Sequence, residues 1–275
     1  QINMAYKIEA QDIAKSGWNY TNPNSFITFS FWVKSSVSSH NPQVLIQNGD
    51  TGTSSTKFFV IDVPALTANT WTKITQAIPG HANQVYNNDN GNGFEIQIIP
   101  WYGTDYTDAG NTTGAWTSFG TKPVDSTWLT TNSSTFQVTG LQLEVGSVAT
   151  PFEHRRFGEE LALCQRYFYK IVGEDSDMAA FGFNQSASNH YFNIELPVPM
   201  RDYPTYTGSS TDARIFTNNI GQDFQLSSMS IVGNMTSSNP KRVTLYVSQG
   251  GASAGEGGLL SLQNAEGSLS FSAEL

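Results

Sequence analysis

NSFITFSFWVKSS, residues 24–36, decides the fold class. Successive side chains of a strand point to opposite sides, so Phe26, Thr28, Ser30 and Trp32 share one face and Ile27, Phe29, Phe31 and Val33 the other. The second row is apolar at every position and is predicted to face a core. The same reading extends outward in both directions. MAYKIEAQDI (4–13), NPQVLIQNG (41–49), KFFVIDV (57–63), WTKITQAI (71–78), GFEIQIIPWY (93–102) and STFQVTGLQLEVG (134–146) are short, rich in β-branched and aromatic residues, and separated by turn-forming clusters such as HNP, NGDTGTSST and NNDNGNG. Many short strands without intervening helices predict a sandwich or jelly roll.

One helix interrupts the pattern. In FGEELALCQRYFYK (157–170), Leu161, Cys164 and Phe168 fall at i, i+3 and i+7, and Glu159 and Glu160 occupy the first turn, where the helix dipole favours acids. Thr150-Pro151 marks a boundary before it. Beyond it, YFYKIVG, AFGFNQS, HYFNIELPVPM, ARIFTN, FQLSSMSIVG, KRVTLYVS and GSLSFSAEL are further strand candidates, while QGGASAGEGG (249–258) reads as a Gly-rich loop that lacks the lysine of a phosphate cradle. The expected fold is all-β: a jelly-roll sandwich over residues 1–150, a connector with a short helix over 151–168, and a smaller β domain over 169–275.

Composition narrows the function classes. Fourteen basic residues stand against 23 acidic ones, a formal charge of −9, which opposes nucleic-acid binding. No apolar run reaches the ~20 residues of a membrane-spanning helix. Charged residues are only 13% of the chain, so the polar surface must be built from Ser, Thr, Asn, Gln and Gly. The single cysteine, Cys164, excludes an intrachain disulfide and is expected to be a buried, inert thiol. The chain opens on Gln1 rather than Met and is read as the edge of a fragment.

FQVTGLQLEVGSVATPFEHRRFGEELALCQRYFYK (136–170) resembles a signature of bacteriophage and prophage tail-fibre proteins, in which a carbohydrate-binding-module-like jelly roll ends in such a strand and an EELALCQRY helix follows. SFITFSFWVKSS (25–36), NTWTKITQAIPG (69–80) and NNDNGNGFEIQIIPWYG (87–103) are similar to what precedes the signature there. IELPVPMRDYPTYT (194–207) and SFSAEL resemble the C-terminal β domain that follows it. The resemblance implies a non-enzymatic virion protein, homotrimeric, joined to the rest of the fibre or virion through its N-terminal side. Such a protein presents its C-terminal part to the host cell outside that cell, without membrane insertion.

Aromatic rings packing on the C–H faces of sugars, with Asn, Asp and Gln taking the hydroxyls, are the chemistry expected of a glycan receptor site. Trp101, Tyr102, Asp105, Tyr106, Asp108 and Trp116 are the candidates, with Asn111 beside them. Trp116 and Trp101 also suit a packing role. Among the other tryptophans, Trp71 is expected to be packed and Trp32 to lie between sheet and helix. Jelly rolls of this type often hold a structural Ca²⁺ through oxygen ligands. Glu9, Asp12, Asp89 and Glu144 are the candidates, although NNDNGNGFEIQI has Ile98 where an EF-hand loop needs Glu, and turn chemistry accounts for its Asn and Gly residues. Four histidines, none in a GxSxG or HExxH setting, give no catalytic constellation. Arg155 and Glu159, at i, i+4, suit a surface ion pair. The functional expectation is attachment to a host cell-surface glycan; the alternatives are a structural virion component without receptor binding and a surface-polysaccharide depolymerase.

Overall fold

The computed structural model describes residues 1–50, 57–105, 107–173, 178–208, 213–217, 223–225, 228–232, 241–248, 250, 253–262 and 267–274. It divides into two compact units, residues 1–154 and 155–274. Both are built of antiparallel sheets, and the fold is all-β.

In the first unit, β1 (Ile2–Glu9), β6 (Asn92–Trp101), β3 (Gln43–Asn48), β4 (Phe58–Asp62) and β7 (Trp116–Thr117) form one sheet in that order. A second sheet has the order β5 (Thr72–Pro79), β2 (Phe26–Ser35), β8 (Phe136–Val145). Ile27, Phe29, Phe31 and Val33 of β2 are all buried and meet Val44, Ile46, Phe59, Ile61, Phe94, Ile96 and Ile98 of the facing sheet in one core. This is the apolar row expected from the alternation. A second, smaller cluster of Leu45, Val60 and Ile99 lies on the other face of the same sheet.

After Glu9 the chain does not continue as strand. Residues 10–15 form α1 (Ala10–Lys15), correcting the strand expected to run to Ile13. The amides of Ala10 and Gln11 turn to the carbonyls of Gly91 and Asp89, each at 2.9 Å, and Ala10 and Ile13, three apart, are buried together. A one-turn helix, α2 (Thr127–Thr130), precedes β8.

In the second unit, a seven-stranded sheet runs β14 (Asp223–Gln225), β13 (Ala213–Thr217), β17 (Gly257–Leu262), β10 (Met178–Asn184), β11 (Asn189–Glu195), β16 (Arg242–Ser248), β15 (Ser228–Ile231). A three-stranded sheet has the order β12 (Thr205–Thr207), β18 (Ser268–Ser272), β9 (Phe168–Val172). Phe192, Ile194, Ile215, Val243, Leu245 and Leu260 from the large sheet pack with Leu269, Phe271, Tyr169 and Ile171 from the small one. Strand β17 was not among the expected strands: its opening Gly257-Gly258 continues a Gly-rich loop, and only pairing on both sides with β13 and β10 makes it a strand.

The helix α3 (Phe157–Gln165) is shorter than the expected 157–170. From Phe168 the period changes to two, because Tyr169 and Ile171 turn inward and β9 pairs with β18. No residue of α3 is buried, and Cys164 is exposed, which corrects the expectation of a buried thiol. The apolar spacing marked a helix but not a covered one. Arg155 lies ahead of the helix rather than in it, so its ion pair forms with Glu160 at 3.3 Å instead of Glu159. Trp71 and Trp32 are 41% and 40% exposed, not packed away as expected. The Lys34 ammonium sits 4.9 Å from the Trp71 ring centre.

Candidate functional site

Among its described residues, the segment 101–116 does not bring the expected aromatic rings onto one platform. Trp116, on β7, packs edge-on against Phe59 at 5.6 Å, and its indole N–H donates to the Pro79 carbonyl at 2.7 Å. It therefore leans on the core between the sheets. Tyr102 packs on the opposite face of that sheet, against Leu45, Val60 and Ile99. Trp101 closes β6, half-buried, with its ring against Gly103, where a Cβ would sit 3.3 Å from it. Asp105 is exposed. Asp108 closes a turn, its Oδ1 accepting the Gly110 amide at 2.8 Å, and its own amide donates to Thr121. Asn111 is buried and donates to the Phe119 carbonyl. Tyr106 lies outside the described residues. Packing and turn formation account for Tyr102, Asp108 and Trp116.

The four expected calcium ligands do not converge either. Glu9 is fully buried at the end of β1, its Oε2 accepting from the Gln11 side chain at 2.6 Å. Asp12 is exposed on α1, and Asp89 uses Oδ1 to accept the Gly91 amide at 2.9 Å. Glu144 belongs to the other sheet and is held by Thr150. The buried Oδ1 of Asn92, opposite Glu9 in the β1–β6 ladder, has no hydrogen-bond partner, yet one carboxylate and one amide fall short of the six to eight oxygens that Ca²⁺ takes. Among the described residues no group of three His, Cys, Asp or Glu side chains is placed to hold a metal.

A Ser–His pair does form, without a route to a substrate. His40 Nδ1 lies 3.1 Å from Ser35 Oγ and Nε2 lies 2.8 Å from the Pro100 carbonyl. A carbonyl only accepts, so Nε2 carries the proton and Nδ1 accepts from the Ser35 hydroxyl. Both residues are buried, and the imidazole stacks on Trp128 at 5.5 Å with 6° between planes. Burial holds the His40 pKa below its ordinary value, against the opposing pull of the Pro100 carbonyl and the Asp125 charge.

Among the described residues a group of aromatic rings, two of them exposed, lies elsewhere, on the outer face of the seven-stranded sheet. Because Phe192, Ile194, Ile215, Val243, Leu245 and Leu260 point into the core, their neighbours in sequence point out. The ladder aligns them in two rows across the strands. One row is Phe216, Leu259, Phe181, Asn193 and Thr244; the other is Gly257, Phe183, Tyr191 and Tyr246. Phe181 is 72% exposed and Phe183 51%. Phe183 stacks on Tyr191 at 5.7 Å, and Tyr191 meets Tyr246 edge-on at 5.5 Å. Gly257, beside Phe183, contributes no side chain that would cover the ring.

Polar groups fix and border these rings. The Tyr246 hydroxyl donates to Asn189 Oδ1 at 2.8 Å, and Thr244 donates to Asn193 Oδ1 at 2.8 Å, which leaves the Asn193 NH₂ group as the donor of that amide. At the Phe181 end an open groove of about 580 Å³ borders the face, walled by Tyr169 and Ile171 from the core side and by Phe181, Asn193, Glu195 and Arg242 from the outer one. That volume lies in the ~300–1,000 Å³ range of small-ligand clefts.

Alternation alone places Phe181 and Phe183 on one face without saying which face is covered. The signal that decides it is Gly182 between them. A Cβ there would lie 2.0 Å from the Tyr191 carbonyl oxygen and 2.7 Å from the Phe192 ring, so the Gly182 side is the tightly packed one.

No family model and no curated protein matches this chain.

Proposed function

We propose that the chain is the distal part of a bacteriophage tail-fibre-type adhesin that attaches the virion to a host cell-surface glycan. The observation that carries this reading is the outer face of the seven-stranded sheet. Exposed aromatic rings cost solvation unless something covers them, and soluble proteins rarely leave such contiguous patches without a partner. Rings bordered by amides and hydroxyls suit a sugar, whose C–H faces stack while its hydroxyls are hydrogen-bonded. Support also comes from the sequence resemblance in residues 136–170, and from a surface built of Ser, Thr, Asn and Gln rather than charge.

A homotrimer belongs to the same reading. β1 and β8 are both sheet edges in the first unit, and an apolar groove of about 300 Å³ opens between them, lined by Met4, Tyr6, Ile8, Phe29, Val138 and Leu141. Met4, Tyr6 and Leu141 are each more than 40% exposed, a surface that a neighbouring chain would cover. The same groove favours the second reading, a structural virion component whose exposed faces are all assembly contacts.

The test is binding of labelled protein to intact host cells, before and after periodate oxidation of their glycans. Binding lost on oxidation, and lost in the double variant Phe181→Ala/Phe183→Ala, is expected. A folded protein that binds no susceptible cell would move the assignment to the structural component.

A further inference from the structure

The groove beside Phe181 carries a guanidinium, that of Arg242. Arg242 and Glu195 stand opposite each other in the β11–β16 ladder, yet the Glu195 carboxylate is met by Lys241, at 3.9 Å, rather than by Arg242. Among the described residues Arg242 makes no ion pair. Among the described residues the groove's lining holds one guanidinium, Arg242, and one carboxylate, Glu195, and the carboxylate is engaged from outside the lining by Lys241. A guanidinium holds its donors in a fixed planar fork that fits a carboxylate by two parallel hydrogen bonds. Next to it stand one exposed ring, Phe181, and one amide, Asn193, whose Oδ1 accepts from the Thr244 hydroxyl and whose NH₂ is left to donate.

We propose that this groove takes an acidic sugar of the host glycan, with the sugar carboxylate on Arg242, its C–H face on Phe181 and a ring hydroxyl on Asn193. The proposal rests on the glycan-binding reading and names the class of sugar within it. Charge complementarity selects it. A neutral sugar would stack on Phe181 equally well but would leave the guanidinium with water alone. The Glu195–Lys241 pair at the groove edge screens the nearest carboxylate from the ligand.

The test uses polysaccharide purified from cells that the protein binds, in three forms: untreated, carboxyl-reduced with carbodiimide and borohydride, and dephosphorylated with hydrofluoric acid. The wild-type chain is expected to bind the carboxyl-reduced form about tenfold or more weakly than the untreated one, the loss of a charge-assisted contact. Dephosphorylation should change nothing. Arg242→Gln should bind the untreated and carboxyl-reduced forms alike, at the wild type's reduced level, and Arg242→Lys should recover part of the loss. Equal wild-type binding to the untreated and carboxyl-reduced forms would overturn the acidic-sugar assignment, as would loss on dephosphorylation alone. The comparison of glycan forms uses only the wild-type chain, so it stands even if a variant misfolds. Periodate-sensitive cell binding with indifference to carboxyl reduction defeats this inference alone; binding that survives periodate defeats the glycan reading with it.

Discussion

Glu144 and Thr150 hold each other through two hydrogen bonds: the Thr150 amide donates to Oε1 at 2.8 Å and its hydroxyl to Oε2 at 2.7 Å. Gln142, on the same side of β8, extends the clip. Its Oε1 accepts the Glu153 amide at 2.8 Å, and its Nε2 donates to Glu144 at 3.0 Å. The outward-facing residues of LQLEV thus bind residues 150–153 back along the strand they have just left. Phe152 completes the contact beside Gly140, whose φ of +59° suits a residue without a Cβ and whose missing side chain leaves room for Trp32 and Phe152.

The Thr150 hydroxyl, followed by Gln142 and the Thr150 amide, draws the Glu144 pKa below its ordinary value. A carboxylate with a depressed folded pKa stabilises the fold above its unfolded pKa, and this contribution is lost as pH falls through the folded value. Glu144→Gln should therefore cost about 1 kcal/mol or less at pH 7, given its solvent contact, and nearly nothing at pH 3. Urea titrations of both proteins at the two pH values measure this; an equal penalty at both would contradict the clip.

His40 has the opposite exposure to solvent and a different pH window. Its folded pKa is lowered by burial, so the unfolded state binds the proton more tightly, and stability falls as pH drops through the unfolded value near 6.5. Melting of the first unit, followed by tryptophan fluorescence, should decline between pH 8 and pH 5 more steeply in the wild type than in His40→Gln. Parallel slopes would assign the pH dependence to other groups.

Two glycines should respond in opposite directions to alanine. A Cβ at Gly182 meets a backbone oxygen at 2.0 Å, and a strand in the middle of a sheet cannot move away. Gly182→Ala is expected to destabilise by about 3 kcal/mol or more, or to prevent folding. A Cβ at Gly158, in the first turn of α3, meets nothing within 4 Å, and Gly158→Ala should stabilise by roughly 0.5–1 kcal/mol. Guanidinium denaturation of both variants distinguishes them.

Tryptophan and phenylalanine substitutions separate packing from recognition. Trp116→Ala removes a ring leaning on the core and should cost about 3–5 kcal/mol, while the folded fraction binds cells like the wild type. Phe181→Ala should leave the melting temperature within about a degree or two, because the ring is mostly in solvent, and should weaken cell binding several-fold, as one ring contact of ~0.5–1.5 kcal/mol predicts. The reverse pattern would return the site to the 101–116 segment.

The all-β architecture and the first core follow from the order of residues alone. The period of two in residues 26–33 is a property of the extended chain, and an unbroken apolar row can only be buried. That order also marked α3, since acids in a first turn and i, i+3 spacing are local signals. Which faces are covered follows only from long-range packing. The aromatics of 101–116 look like a platform in one dimension, but Tyr102 and Trp116 turn to opposite sides of one sheet and are taken up by packing. Phe181 and Phe183 look like ordinary core residues, yet Gly182 claims the inner side for close approach to β11, which turns them out. Arg242 becomes a candidate ligand only when β16 pairs with β11 and sets it at the edge of a groove lined from β9, β10 and β11. Local periodicity gives each residue a face; long-range strand pairing chooses whether that face meets the core or the solvent.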